Sequence, residues 1–152
     1  MQIIKAGLSD AETVRKITHE TISTVYPRYY PRGAVDFFLS HHSAGSIAED
    51  ITNGRVYLCI DDTGVPVGTV SVRDNSILRL FVLPGCQGKG FGRMLLSFAE
   101  GLIAANFDEI VIDASLPAKA IYLRRGYLEK EYHIIETGSG DKLCYDVMIK
   151  KI

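Results

Sequence analysis

The sequence predicts a mixed, mostly antiparallel α/β domain, and three observations carry that expectation. Three apolar stretches in mid-chain are separated only by Asp62-Thr63-Gly64 and Asp74-Asn75, turn sequences short enough to join antiparallel neighbours in a meander. An amphipathic segment from Gly90 to Asn106 then precedes another strand. A helix between two strands of one sheet calls for a parallel, right-handed crossover. Finally, Gly138-Ser139-Gly140-Asp141 separates two more strands, which read as a closing hairpin.

The elements follow in order. Gln2-Ile3-Ile4-Lys5 is strand-like, and Ser9-Asp10-Ala11-Glu12 reads as a capping box that starts a helix with Val14, Ile17, Thr21 and Val25 at helical spacing. That helix ends near Tyr26-Pro27. A second helical region, about Gly33 to Asn53-Gly54, carries Val35, Phe38, Leu39, Ile47 and Ile51 and breaks near His42-Ser43. The meander strands are Arg55 to Asp61, Pro66 to Arg73 and Ser76 to Leu83. In the helix after Gly90, Phe91, Met94, Leu95, Phe98 and Leu102 share the face expected to pack on the sheet. Glu109 to Ala114 is the crossover strand. Pro117 is tolerated in the first turn of a helix that runs to Arg125, and Gly126 ends it. The hairpin strands are about Leu128 to Thr137 and Leu143 to Ile149.

A chain of 152 residues suits one domain, residues 1–152, with a core large enough to need no staples. The net charge of −1 gives no support for a nucleic-acid partner recruited by overall positive charge. Cys59, Cys86 and Cys144 are odd in number and lack metal or redox spacing, so they are expected as reduced core thiols; His41-His42 lacks ligand partners, and no metal is expected. The first residues enter a strand directly, with no apolar segment of signal or membrane-spanning length; the expectation is a cytoplasmic protein that does not bind membranes.

The most informative segment is Val82-Leu83-Pro84-Gly85-Cys86-Gln87-Gly88-Lys89-Gly90-Phe91-Gly92-Arg93, which joins a buried strand to an amphipathic helix through glycines. A helix N-terminus offers unpaired N–H groups and the positive end of the macrodipole, and glycine admits an anion close to the backbone. Lys89 and Arg93 add mobile charge. The run is not a Walker loop, since both that motif's spacing and its hydroxyl are absent, nor a G-x-G-x-x-G dinucleotide fingerprint, since Gly88, Gly90 and Gly92 run G-x-G-x-G. It resembles instead the Q/R-x-x-G-x-G/A signature of the GNAT acyltransferases, with Gln87, Gly90 and Gly92 in place and a V-x-P lead-in at Val82 and Pro84.

A second block, Ser115-Leu116-Pro117-Ala118-Lys119-Ala120-Ile121-Tyr122-Leu123-Arg124-Arg125-Gly126-Tyr127, is similar to that family's N-x-x-A-x-x-F-Y-x-x-x-G-F, and the element order agrees along almost the whole chain. The resemblance implies a seven-stranded sheet with helices on both faces, splayed between its fourth and fifth strands, with acetyl-CoA in the splay. Phe81, Val82 and Leu83 would offer backbone groups to the pantetheine. Gln87, Gly88, Lys89, Gly90, Phe91, Gly92 and Arg93 would hold the pyrophosphate. Ser115 stands where Asn is usual; it could meet the pantetheine or cap the last helix. Tyr122 matches the tyrosine that protonates the departing thiolate, a role suited to a phenol, whose pKa lies near or above that of a thiol; packing with its hydroxyl on backbone is the plainer alternative.

One expected feature is missing. Many GNAT enzymes carry a carboxylate on the strand before the loop, whereas Ser76-Ile77-Leu78-Arg79-Leu80-Phe81-Val82-Leu83 has none. Either the amine arrives already neutral or a base comes from elsewhere: Asp113 is the nearest by sequence, placed by alternation with Val111 and Ser115, with a strand-end turn or cap as its alternative role, and His133 is a second candidate with a core or surface histidine as its plainer reading. Tyr26, Tyr29, Tyr30 and His133 fall where the family walls its acceptor site. The implied acceptor is the amine of a small molecule or peptide, the rival reading is a non-catalytic coenzyme A binding module, and the oligomeric state, a homodimer included, is left open.

Overall fold

The computed structural model describes residues 1–152. Strands β1 (Gln2–Lys5), β2 (Val56–Ile60), β3 (Pro66–Arg73) and β4 (Ser76–Val82) are successive antiparallel neighbours, and β5 (Glu109–Ser115) lies parallel to β4. With β6 (Leu128–Glu136) and β7 (Lys142–Lys151) they form a single seven-stranded sheet in the order β1-β2-β3-β4-β5-β7-β6. The hairpin strand β7, rather than β6, pairs with β5, so β6 is one edge of the sheet and β1 the other.

Each face of the sheet buries an amphipathic layer. On one side, α1 (Ala11–Val25), α2 (Arg32–His41) and α3 (Ala44–Thr52) bring Val14, Ile17, Ile22, Ala34, Ile47 and Ile51 onto Val56, Leu58 and Leu143. On the other, α4 (Phe91–Ala104) and α5 (Leu116–Arg124) bring Leu95, Leu96, Ala99, Ile103 and Tyr122 onto Val70, Ile110, Ile112 and Met148. Burial of each large side chain removes apolar surface worth about 1.5–3 kcal/mol. No helix is long and apolar enough to cross a membrane.

Three local expectations are corrected. Leu102 is 37% exposed, and the buried face of α4 runs instead through Leu95, Leu96, Ala99 and Ile103. A Cβ on Gly68 would stand 2.8 Å from Leu95 Cδ1, so this glycine lets α4 settle directly over β3 at Leu95, whereas Leu102, two turns on and on nearly the same face, lies in the last turn of the helix. The capping box does not form around Ser9. A short 3-10 turn (Leu8–Asp10) precedes α1, the Asp10 carboxylate accepts the Gly7 N–H at 2.9 Å, and Glu12 pairs with Arg15. Of the three free thiols only Cys59 is buried; Cys86 and Cys144 are partly exposed.

The feature that makes the site is where β4 and β5 stop pairing. They meet only at Ser76 with Val111 and Ile77 with Ile112. Immediately afterwards Ser71 of β3 pairs with Arg79 while Val72 pairs with Ile77, leaving Leu78 as an extra residue on β4. A bulge bends its strand and reverses the phase of side-chain alternation. Beyond it, Val82 joins the α4 layer, whereas Phe81 and Arg79 face α1–α3. The two strands diverge from this point and open a cleft between them.

Candidate active site

The cleft encloses about 730 Å³ and is lined from both layers, by Thr21 and Tyr26 on one side and by Gln87, Arg93, Ser115 and Tyr122 among others. At one end lies the glycine loop. Pro84–Cys86 forms a 3-10 turn, Gly88 and Gly90 take φ of +76° and +92°, and Gly90 is the residue from which α4 departs. Glycine adopts such angles without a steric penalty. The backbone N–H groups of residues 88 to 93 have no acceptor within the protein. A Cβ added at Gly88 or Gly90 would meet no atom within 4 Å, so the concavity in front of these amides is open.

Side chains of the loop divide between holding the backbone and facing the cleft. The Gln87 side-chain amide donates to the Val82 carbonyl at 3.0 Å, and Thr21 Oγ1 donates to the same oxygen at 3.1 Å, which ties the loop and α1 to the end of β4. Lys89 Nζ curls back to the Gly85 carbonyl at 3.0 Å. Phe91 is buried and anchors the first turn of α4. Among the strand residues, Leu83 donates its N–H to Val67, so alternation turns the Val82 N–H toward the open side. Arg93 lines the cleft, as does Arg124, a residue the loop motif does not point to. Arg125 lines it too, but its guanidinium is held by Glu100 at 2.7 Å.

Tyr122 projects from α5 into the middle of the cleft. It is 5% exposed, tilts against Tyr127 at 5.6 Å, and its hydroxyl has no hydrogen-bond partner in the protein, yet it is not sealed from the cleft. Burial, with a smaller contribution from Tyr26, pushes its pKa well above the ordinary phenol value. Beside it, Tyr26 donates to Ser115 Oγ at 3.1 Å, and burial pushes the Tyr26 pKa up to about 12. Ser115 is the N-cap residue of α5 by backbone conformation, but its side chain makes no capping bond. The cap comes from Tyr30, whose hydroxyl accepts the Leu116 N–H at 2.7 Å and donates to the Cys144 carbonyl at 2.8 Å.

A family model for the acetyltransferase (GNAT) domain matches residues 25–140. The chain belongs to the GNAT family. Among solved structures, a GCN5-related N-acetyltransferase from Rhodopseudomonas palustris superposes with a TM-score of 0.90 at 23% identity, over 99% of this chain and 95% of that one. The PaiA N-acetyltransferase of Thermoplasma acidophilum, solved with coenzyme A, gives 0.72 at 19% identity, covering 99% and 98%. A phosphinothricin acetyltransferase from Sinorhizobium meliloti, solved with acetyl-CoA, gives 0.72 at 18% identity, covering 99% and 88%. No curated protein matches the chain in sequence.

Within this GNAT domain a smaller pocket of about 70 Å³ continues from the cleft past Tyr122, bordered by Tyr26, Phe38, His42, Arg79, Phe81 and Asp113. Asp113 lies on the α2 side of β5 and is solvent-exposed; partial desolvation by its neighbours raises its carboxyl pKa against the opposing pull of His133 and His41. His133 does not line either cavity: it stacks on Tyr145 at 5.1 Å and bonds Glu131 at 2.9 Å. Tyr29 is 51% exposed and also lies outside both, and Tyr30 supports the wall from behind through its two hydrogen bonds. No group of His, Cys, Asp or Glu side chains is arranged to hold a metal ion.

Sequence reasoning missed the back wall of this pocket. Arg79, 4% exposed, donates from Nη2 to Asp50 at 2.7 Å and Ser46 at 3.3 Å, from Nη1 to Ser71 at 3.3 Å, and from Nε to His42 Nδ1 at 3.1 Å. Burial and the adjacent guanidinium push the His42 pKa down to about 3, so the ring is neutral. A lone arginine in an apolar strand was the available signal, since such a charge is buried only when paired.

The geometry of the loop carries a prediction. At Gly90 a β-branched side chain would be strained by the positive φ and would project into the open concavity. Gly90→Val is expected to weaken coenzyme A binding by at least about tenfold, ~1.4 kcal/mol, measured by calorimetry on the folded variant. Unchanged affinity would remove the loop from coenzyme binding.

Proposed function

We propose that the protein transfers an acetyl group from acetyl-CoA to the primary amine of a small molecule or peptide by direct attack. The observation that carries this reading is the juxtaposition, along one cleft, of unpaired loop amides and a buried tyrosine hydroxyl with no protein partner. The residues fit the cosubstrate: amides 88 to 93 with Arg93 suit a pyrophosphate, and the narrow splay past Val82 suits a pantetheine arm. Acetyl-CoA would supply the acyl carbon already activated as a thioester.

Each residue then has a defined task. The loop and the Val82 N–H would fix the thioester end beside Tyr122. Tyr122, kept protonated by its raised pKa, would donate its proton to the departing sulfur. Phe38, Tyr26 and Phe81 would shape the pocket through which the amine approaches, and holding both reactants in one cleft supplies much of the acceleration. Thiol release from acetyl-CoA with a panel of amines tests the reading. A coenzyme-binding module without chemistry is favoured by one observation: β4 carries Arg79, committed to Asp50, and no carboxylate. Coenzyme binding with no thiol release for any amine would select that alternative.

The missing carboxylate leaves the proton on the amine to be accounted for. We expect the pH profile of kcat/KM to rise with the acceptor's own neutral fraction, near pH 10.4 for a lysine-like amine, in both wild type and Asp113→Asn. A carboxyl whose pKa is raised would act as base only above that raised value, giving a wild-type limb nearer neutrality. Loss of such a limb in Asp113→Asn would make Asp113 the base.

A further inference from the structure

We propose that His42 is a specificity-determining residue that binds a carbonyl oxygen of the acceptor, and that the acceptor is therefore an α-amino carbonyl compound such as an amino-acid amide or a peptide N-terminus. The proposal rests on the acetyl-transfer reading and narrows its substrate class.

The argument begins with the hydrogen on the ring. Arg79 Nε is only ever a donor, so His42 Nδ1, 3.1 Å away, must be the nitrogen that carries the lone pair. The neutral ring then bears its hydrogen on Nε2. Arg79 is itself fixed by Asp50 of α3 and Ser71 of β3, and the His42 carbonyl is held by His19 at 2.6 Å, so both tautomer and ring position are set by surrounding elements. His42 is only 7% exposed and lines the small pocket, yet Nε2 has no partner in the protein and is not sealed from solvent. Once a ligand fills the pocket and excludes water, this donor is costly to leave without an acceptor. An oxygen in the pocket would satisfy it.

This arrangement binds but cannot take a proton. The lone pair of His42 is covered by a guanidinium, and its other nitrogen already carries hydrogen. Across the same pocket stands Asp113. A carboxylate there attracts an ammonium group and disfavours a second carboxylate, while Arg79 is neutralised by Asp50. The complementary ligand is small and carries an amine and an uncharged carbonyl oxygen a few bonds apart. An α-amino amide has that form; an alkylamine lacks the oxygen, and a free amino acid adds a repelled charge.

The test uses thiol release from acetyl-CoA with glycinamide, triglycinamide, glycine and propylamine, each rate expressed per unit of free base. For wild type, kcat/KM for glycinamide should exceed that for propylamine by about tenfold, the scale of one hydrogen bond in a dry site, with glycine poorer than glycinamide. The ratio should collapse in His42→Phe and return in His42→Gln, whose amide again offers a donor. Changing a ratio between two substrates is something a purely structural role would not do. Triglycinamide matching glycinamide points to peptide N-termini, and glycinamide alone points to free amides; both support the proposal. Propylamine equal to or better than glycinamide in wild type overturns it, whether or not the variants fold. An unchanged ratio in folded His42→Phe also overturns it. Release with propylamine alone leaves acetyl transfer standing and removes only this inference, whereas no release with any acceptor removes both.

Discussion

Replacing Tyr122 by Phe should lower kcat by about 10²-fold or more, the usual scale for loss of a positioned general acid, while coenzyme A affinity stays within experimental reach of wild type. The substitution keeps the ring that packs against Tyr127 and removes only the hydroxyl, which makes no hydrogen bond in the protein. Folding stability is therefore expected to change little. Because burial raises the Tyr122 pKa, the acid keeps its proton up to and beyond the ordinary phenol value of about 10. No descending limb in the pH profile below that value should belong to it. Thiol release and coenzyme calorimetry on the same preparation measure both quantities, and turnover within about threefold of wild type would make Tyr122 a packing residue.

The second large effect falls on stability. Arg79→Met is expected to destabilise the protein by about 3–5 kcal/mol, the cost of leaving one partner of a buried ion pair without the other. Asp50 is the group left behind: its side chain is 10% exposed, and its remaining partner, Arg55, lies at a longer 3.4 Å. His42, Ser71 and Ser46 lose a donor at the same time. Urea unfolding at constant slope gives the difference directly. The double variant Arg79→Met with Asp50→Asn should recover a large part of the loss, because the uncompensated charge is gone. A single variant as stable as wild type would mean that Arg79 contributes nothing net to the fold.

These residues mark the boundary between local and tertiary information. The sequence by itself determined the order of elements, the meander, the crossover and the glycine loop. Those features depend on short-range chemistry: turn residues set the hairpins, and Gly88 and Gly90 are the residues that take positive φ without strain at the entry to α4. The break between α2 and α3 was legible for the same reason, since Ser43 caps α3 through the Ser46 N–H. Resemblance to the GNAT motifs then located the cleft and singled out Tyr122.

Tertiary structure decided what depends on partners far along the chain. The bulge at Leu78 is defined by β3 pairing; beyond it Arg79 faces α3 and β4 no longer pairs with β5. Arg79 is acceptable there only because Asp50, Ser71 and His42 converge on it from three other segments. The task of Tyr30, capping α5 from a loop 86 positions earlier in the chain, has no local signature. Nor does the exposure of Leu102, which shares the face of the fully buried Leu95 two turns earlier in α4. Periodicity states which residues prefer burial; which face is buried, and which polar groups share it, is settled only when the layers meet.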